Sequence, residues 1–280
     1  METGQKIIQK NNNIDQPEYI ELSIQVNLSG LSFCILNTYT NTFTFYKHVV
    51  FDKKLNPSVI LDKIVHYFNT EKPLQQSFKT VRVIHDNELS ALVPKPLLNE
   101  DYLADYLKFN SKILRTDFIT YDYITANDSA NVYVPYVNIN NYLYDRFGVF
   151  EFKHFSTIVI ENILALEKNA LTTKMFVHIS HNHFEIIVLE NNKLKLYNTF
   201  DYLTNEDFIY YILFTAEQLQ LNPEEFPLVL LGYISKDDDL YDIAYKYIRN
   251  VSVLNTSINR KISDAIASNF KYDFILINSF

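Results

Sequence analysis

Glycine is scarce: the 280 residues hold four, Gly4, Gly30, Gly148 and Gly232. Loops that wrap a ligand with bare backbone depend on glycine, because a Cβ obstructs close approach and disfavours positive φ. Several such loops therefore cannot be hidden in this chain. Cysteine is scarcer still. The single Cys34 excludes an internal disulfide and a cysteine-based metal site, and its place between Phe33 and Ile35 reads as a buried, inert thiol. There is no tryptophan and no long apolar run. The longest, Phe208 to Phe214, falls far short of the ~18 residues of a membrane span, so no membrane insertion is expected. Residues 1–16 lack the apolar core of a signal peptide and read as a disordered tail. Basic residues never exceed two in succession and the net charge is -8, which argues against a nucleic-acid partner. These absences together predict a soluble, cytoplasmic chain. In that setting Asn127-Asp128-Ser129 carries no glycan. No Gly-x-Ser-x-Gly, Gly-x-x-x-x-Gly-Lys or Gly-x-Gly-x-x-Gly occurs, and no spacing of Ser, His and Asp selects a triad.

What is present is a patterned apolar content of 48%, enough for a large core that at this length tends to split into two lobes. The stretch from Met175 to Phe200 predicts three strands, with turns at Ser180-His181-Asn182-His183 and Glu190-Asn191-Asn192-Lys193, since Asn tolerates positive φ. A helix from Thr204 follows, its face formed by Phe208, Ile212, Ala216 and Leu219, and Pro223 ends it. A strand over Leu228–Gly232, a helix over Asp237–Ile248 and a strand over Val251–Leu254 complete the unit. The same order begins at Tyr19. An offset of 153 positions sets Leu22 against Met175 and the turn Asn27-Leu28-Ser29-Gly30 against Ser180–His183. Pro57 to Phe68 then matches the helix after Thr204, Val81–Ile84 the strand Leu228–Leu231, and a predicted helix around Leu97–Phe109 the one after Gly232.

The aromatic middle predicts strands near Asp117–Ile124 and Asn131–Val137, a helix to Phe147 closed by Gly148, and a helix over Ser156–Lys168 that leads into the second lobe. Its tyrosines fit either core or a partner surface, with core favoured. A last strand is expected at Tyr272–Ile277. The expected division is 17–155 for the first lobe and 156–280 for the second.

This repeated meander, helix, strand, helix, strand order resembles the actin-like ATPase superfamily, which includes actin, sugar kinases and Hsp70. More narrowly it resembles a bacterial domain family of unknown function with an actin-like fold. The resemblance implies an α/β fold of duplicated actin-like (ribonuclease H-like) ββαβαβ-type lobes, with mixed five-stranded sheets flanked by helices. It also implies that a nucleotide, if bound, would sit between three turns. Those turns here are Asn27, Ser29 and Gly30; Ser180, His181, Asn182 and His183; and the loop at Gly232. Asn27 stands where the superfamily has its metal-positioning Asp, and the second turn has neither glycine nor acid. Three carboxylates, Asp237 to Asp239, follow the third turn, in what reads as the first turn of a helix. The eroded turns predict a catalytically inactive protein with no cofactor, working as a binding or scaffolding module with a protein partner or as a homo-oligomer. The alternative is a divergent kinase or ATPase using Asp86 or Asp201. His178, His181 and His183 suggest a metal, but strand alternation sends His178 and His181 to opposite faces, so none is expected.

Overall fold

The computed structural model describes residues 17–181, 183–254, 260–270 and 273–280; the predicted tail, Asn182 and Tyr272 lie outside the described residues. The chain enters an antiparallel meander of β1 (Ile20–Asn27), β2 (Gly30–Asn37) and β3 (Thr42–Val50). Asn37 Oδ1 accepts from the backbone N–H groups of Tyr39 and Thr40, and Asn41 takes φ 52°, which turns β2 into β3. Helix α1 (Pro57–Thr70) starts where Asn56 Oδ1 accepts from Val59 N at 2.9 Å, with Pro57 at its first position, and it buries Ile60, Ile64 and Phe68. β4 (Thr80–His85) then lies parallel to β1.

An insertion follows that the repeat did not predict. β5 (Ser90–Pro94), the short helix α2 (Leu103–Leu107), β6 (Thr120–Ile124) and β7 (Ser129–Tyr133) form a separate three-stranded sheet, ordered β5-β7-β6, around a small core of Val93, Leu107, Val132 and Val134. Of the helix predicted around Leu97–Phe109, a 3-10 turn over Glu100–Tyr102 and α2 are present, as part of this insertion. Its place in the repeat is taken by α3 (Val137–Phe147), which ends at Gly148 with φ 73°, and β8 (Glu151–His154), parallel to β4. α4 (Phe155–Leu166) carries the chain onward.

The second meander is β9 (Lys174–Ile179), β10 (His183–Glu190) and β11 (Lys193–Asp201), with Asn191 and Asn192 at φ 51° and 59° in its second turn. α5 (Asn205–Gln218), β12 (Pro227–Gly232), α6 (Asp239–Tyr247) and β13 (Asn250–Val253) follow. β14 (Lys261–Ile262) returns to pair with β3, so the first sheet has six strands rather than five. After α7 (Ala267–Phe270), residues Phe274–Ile277 form a helix, α8, in place of the predicted strand. All four of its side chains are buried, so no polar position marks its period.

The two sheets run β14-β3-β2-β1-β4-β8 and β11-β10-β9-β12-β13, and the five shared positions correspond one to one. The registers agree at the 153-residue offset. Leu22 pairs with Ile35 as Met175 pairs with Val188, and the irregularity between Ile35 and Leu36 recurs between Val188 and Leu189. Each sheet packs one face on its own helices and the other on a shared core that includes α4 and α8. Burial on both faces explains why β9 and β10 read as continuous apolar runs. Cys34 lies in this shared core, and burial pushes its thiol well up.

Candidate functional site

The turns after β1 and β9 meet across a cavity of about 280 Å³ between the lobes. Asn27, Ser29, Gly30, Ser180, His181 and His183 all line it. Gly232 does not, although its neighbour Tyr233 does. The two glycines serve the sheets. A Cβ on Gly30 would come within 2.7 Å of Val49 O, and one on Gly232, at φ 92°, within 2.4 Å of Ile179 O.

Each of the three turns has backbone donors engaged within the chain. Ser29 N donates to Asn27 Oδ1 at 2.7 Å, Ser180 N to His183 O at 3.0 Å, Tyr233 N to Ile179 O at 2.9 Å and Ser235 N to Asp238 Oδ2 at 3.2 Å. Asp237 and Asp238 precede α6 instead of forming its first turn, and Asp238 is spent on fixing the Ser235 loop.

Between the lobes runs a chain of side-chain contacts that sequence alone did not reveal. Ser32 Oγ lies 2.7 Å from His48 Nδ1, and His48 Nε2 lies 2.9 Å from His181 Nε2, the first two in the first lobe and the third in the second. Beside it, Tyr46 OH donates to Asp273 Oδ2 and lies 3.0 Å from Tyr233 OH. Burial, with His181 adding repulsion, lowers His48 to about 4, and burial lowers His181 as well. Both rings are neutral near pH 7, as one must be to accept from the other. Burial raises the Asp273 carboxyl, while two tyrosine hydroxyls and Leu276 N hold it in place.

Deeper in the second lobe, His178 Nδ1 stands 2.7 Å from Glu185 Oε2, a cross-strand pair. At the 153-residue offset their counterparts are Gln25 and Ser32, likewise paired across strands. Burial drives Glu185 up to about 8 and His178 down to about 4; both directions describe one neutral pair, with the carboxyl O–H donating to the imidazole. His183 Nε2 stands 3.3 Å from Glu185 Oε1 and 3.9 Å from Asp86 Oδ1, and Asp86 Oδ2 accepts from Gln25 Nε2 at 2.9 Å. His178 and His181 both reach the cavity rather than opposite faces, yet each is paired elsewhere. Among the described residues no three ligands converge on a metal position. Asp201 is exposed at the end of β11, beside a smaller neighbouring cavity. No helix among the described residues is long and apolar enough to cross a membrane.

This architecture matches a Bacteroides thetaiotaomicron protein with actin-like ATPase fold and unknown function, with a TM-score of 0.76 and 23% identity over 87% of this chain and 93% of that one. It also matches a chain of the PilM-PilN type IV pilus biogenesis complex, with a TM-score of 0.58 and 11% identity over 92% and 94%. Two facing sheets of one strand order around a central cleft thus define the class: an α/β protein of actin-like ATPase fold. Within it, the chain belongs to the family described as protein of unknown function (DUF3822), whose model matches residues 9–251. None of the curated proteins matches it.

Proposed function

We propose that this chain is an actin-like protein that does not turn over nucleotide and serves as a binding module for a protein partner. The observation that carries this reading is the internal use of the turn donors. A triphosphate needs bare N–H groups at those turns, whereas Ser29, Ser180, Tyr233 and Ser235 each donate to the chain itself. The His48–His181 contact further ties the lobes across the space a nucleotide would enter. The likeness to a PilM-PilN complex supports a role in holding a protein partner. The lobes are taken as 17–155 and 156–280, with β14 returned to the first, and the cytoplasm as the setting.

The test is a thermal-shift series with Mg-ATP beside a phosphate-release assay. A nucleotide at a hundred times its Kd would stabilise the native state by about 2.7 kcal/mol; no shift and no release are expected. A clear shift, or hydrolysis lost in Asn27→Ala or in Asp86→Asn, would establish the alternative of a divergent ATPase.

A further inference from the structure

One buried acid in the cleft has half of its carboxyl left over. Asp86, just after β4, is 5% exposed and lines both the cavity of about 280 Å³ and its smaller neighbour of about 150 Å³; Asn27, Lys54 and His183 are likewise common to the two. Its backbone is fully used. Asp86 N donates to Val26 O, and Asp86 O accepts from Asn27 Nδ2 and from Tyr136 OH. What it turns to the cavities is therefore the carboxyl. Oδ2 accepts from Gln25 Nε2 at 2.9 Å, whereas Oδ1 accepts no hydrogen bond among the described residues. His183 Nε2 stands 3.9 Å from Oδ1, beyond hydrogen-bond reach, and is nearer to Glu185 Oε1 at 3.3 Å. A buried acceptor without a donor is costly, so an occupant that donates to Oδ1 gains what the chain by itself forgoes.

The surroundings select that occupant. Asp52, Glu88 and Asp201 flank the cavities against Lys53 and Lys54, all five exposed, so the charge around the enclosed Asp86 leans toward accepting a cation. Among the described residues no three ligands converge on a metal position, which leaves an organic cation with N–H donors. Phe51, Tyr233 and Phe274 line the larger cavity, and Tyr136 and Phe155 the smaller. A guanidinium suits such walls better than an ammonium: it is flat, weakly hydrated and stacks on rings, and its fork of N–H groups meets a carboxyl edge.

We propose that the cleft at Asp86 is a guanidinium pocket that takes an arginine side chain of a partner protein, with Asp86 Oδ1 as its acceptor and Phe51 and Tyr233 among its walls. This rests on the reading of the chain as a binding module and gives that module a ligand chemistry.

The experiment titrates the full chain with a blocked pentapeptide of one central arginine between alanines. The same peptide carrying citrulline, the uncharged isostere, and free arginine are titrated in parallel. Affinity is read by calorimetry and location by backbone amide shifts. The arginine peptide is expected to bind at least about tenfold tighter than the citrulline peptide, to weaken at least about tenfold in Asp86→Asn, and to move amides in 25–30 and 84–88. Asn keeps an acceptor for Gln25, and the citrulline comparison needs no variant, so it decides the matter if that one misfolds. Equal binding of the two peptides, no binding at about 10 mM, or shifts confined to other segments would overturn the pocket. Binding of free arginine with none of the peptide would overturn a partner protein as its source. Mg-ATP stabilisation, by contrast, would overturn the inactive reading, and the comparison of arginine with citrulline would still decide the pocket.

Discussion

His85 and His154 show at single residues how this interior is wired. His85 Nδ1 accepts from Tyr136 N while its Nε2 lies 3.0 Å from Asn140 Oδ1; His154 Nδ1 accepts from Ser156 N while its Nε2 lies 3.0 Å from Asn87 O. Each ring is thus the Nε2–H tautomer, and a second proton would point at an N–H. Burial lowers both to about 3. Glu185 has the reverse sign. Its folded value of about 8 lies above the ordinary 4.5, so it contributes stability below pH 4.5 that is lost as pH rises through about 8. Glu185→Gln keeps a donor for His178, and its urea midpoint should accordingly fall less between pH 6.5 and 8.5 than that of the parent. Gly232→Ala forces a Cβ onto φ 92° and into Ile179 O, and should cost at least ~2 kcal/mol by urea unfolding. Little of this chemistry is visible in sequence, because most of the partners, such as Asn140 and Tyr136 for His85 and Asn87 for His154, lie dozens of positions away.

At the scale of elements, local signals were largely sufficient. Thr204 Oγ1 accepts from Asp207 N at 3.1 Å and Asp207 Oδ2 accepts from Thr204 N at 3.0 Å, a reciprocal cap legible in the sequence. Thr204→Ala should cost about 1 kcal/mol, read as a lowered thermal midpoint. The asparagine turns were legible for the same reason: their preference is written in the residue itself. α8 was not. Phe274–Ile277 is apolar throughout, and a four-residue run without period fits a strand as well as one helical turn. Its burial between the lobes predicts that Leu276→Ala, at 0% exposure, costs about 2–5 kcal/mol by chemical denaturation. The aromatic middle divides between both readings: Tyr133 and Tyr136 are core, whereas Phe118, Tyr123 and Tyr144 are exposed.

For the whole molecule, the histidines set the response to pH. His48, His85, His154 and His178 have folded values of about 3 to 4 against 6.5 unfolded. Depressed values contribute stability that is present above 6.5 and lost as pH falls toward the folded values. Burial raises Asp122, Asp273 and Glu185, which act in the opposite sense. Four rings stand against these carboxyls, so stability should fall as pH drops from 6.5 toward 4, measured as urea midpoints across that range. Because these rings sit in both lobes and between them, the loss should appear as one transition.

The sequence by itself determined most of the order of strands and helices, the agreement of the two meanders at an offset of 153 positions and the scarcity of glycine at their turns, since strand period, capping and glycine count are properties of neighbouring residues. Only the tertiary structure decided that a small sheet interrupts the first lobe, that His48 meets His181 across the cleft, and that Asp122 of the small sheet accepts from His154 N. Those are distances between residues far apart in the chain, and no local preference encodes them.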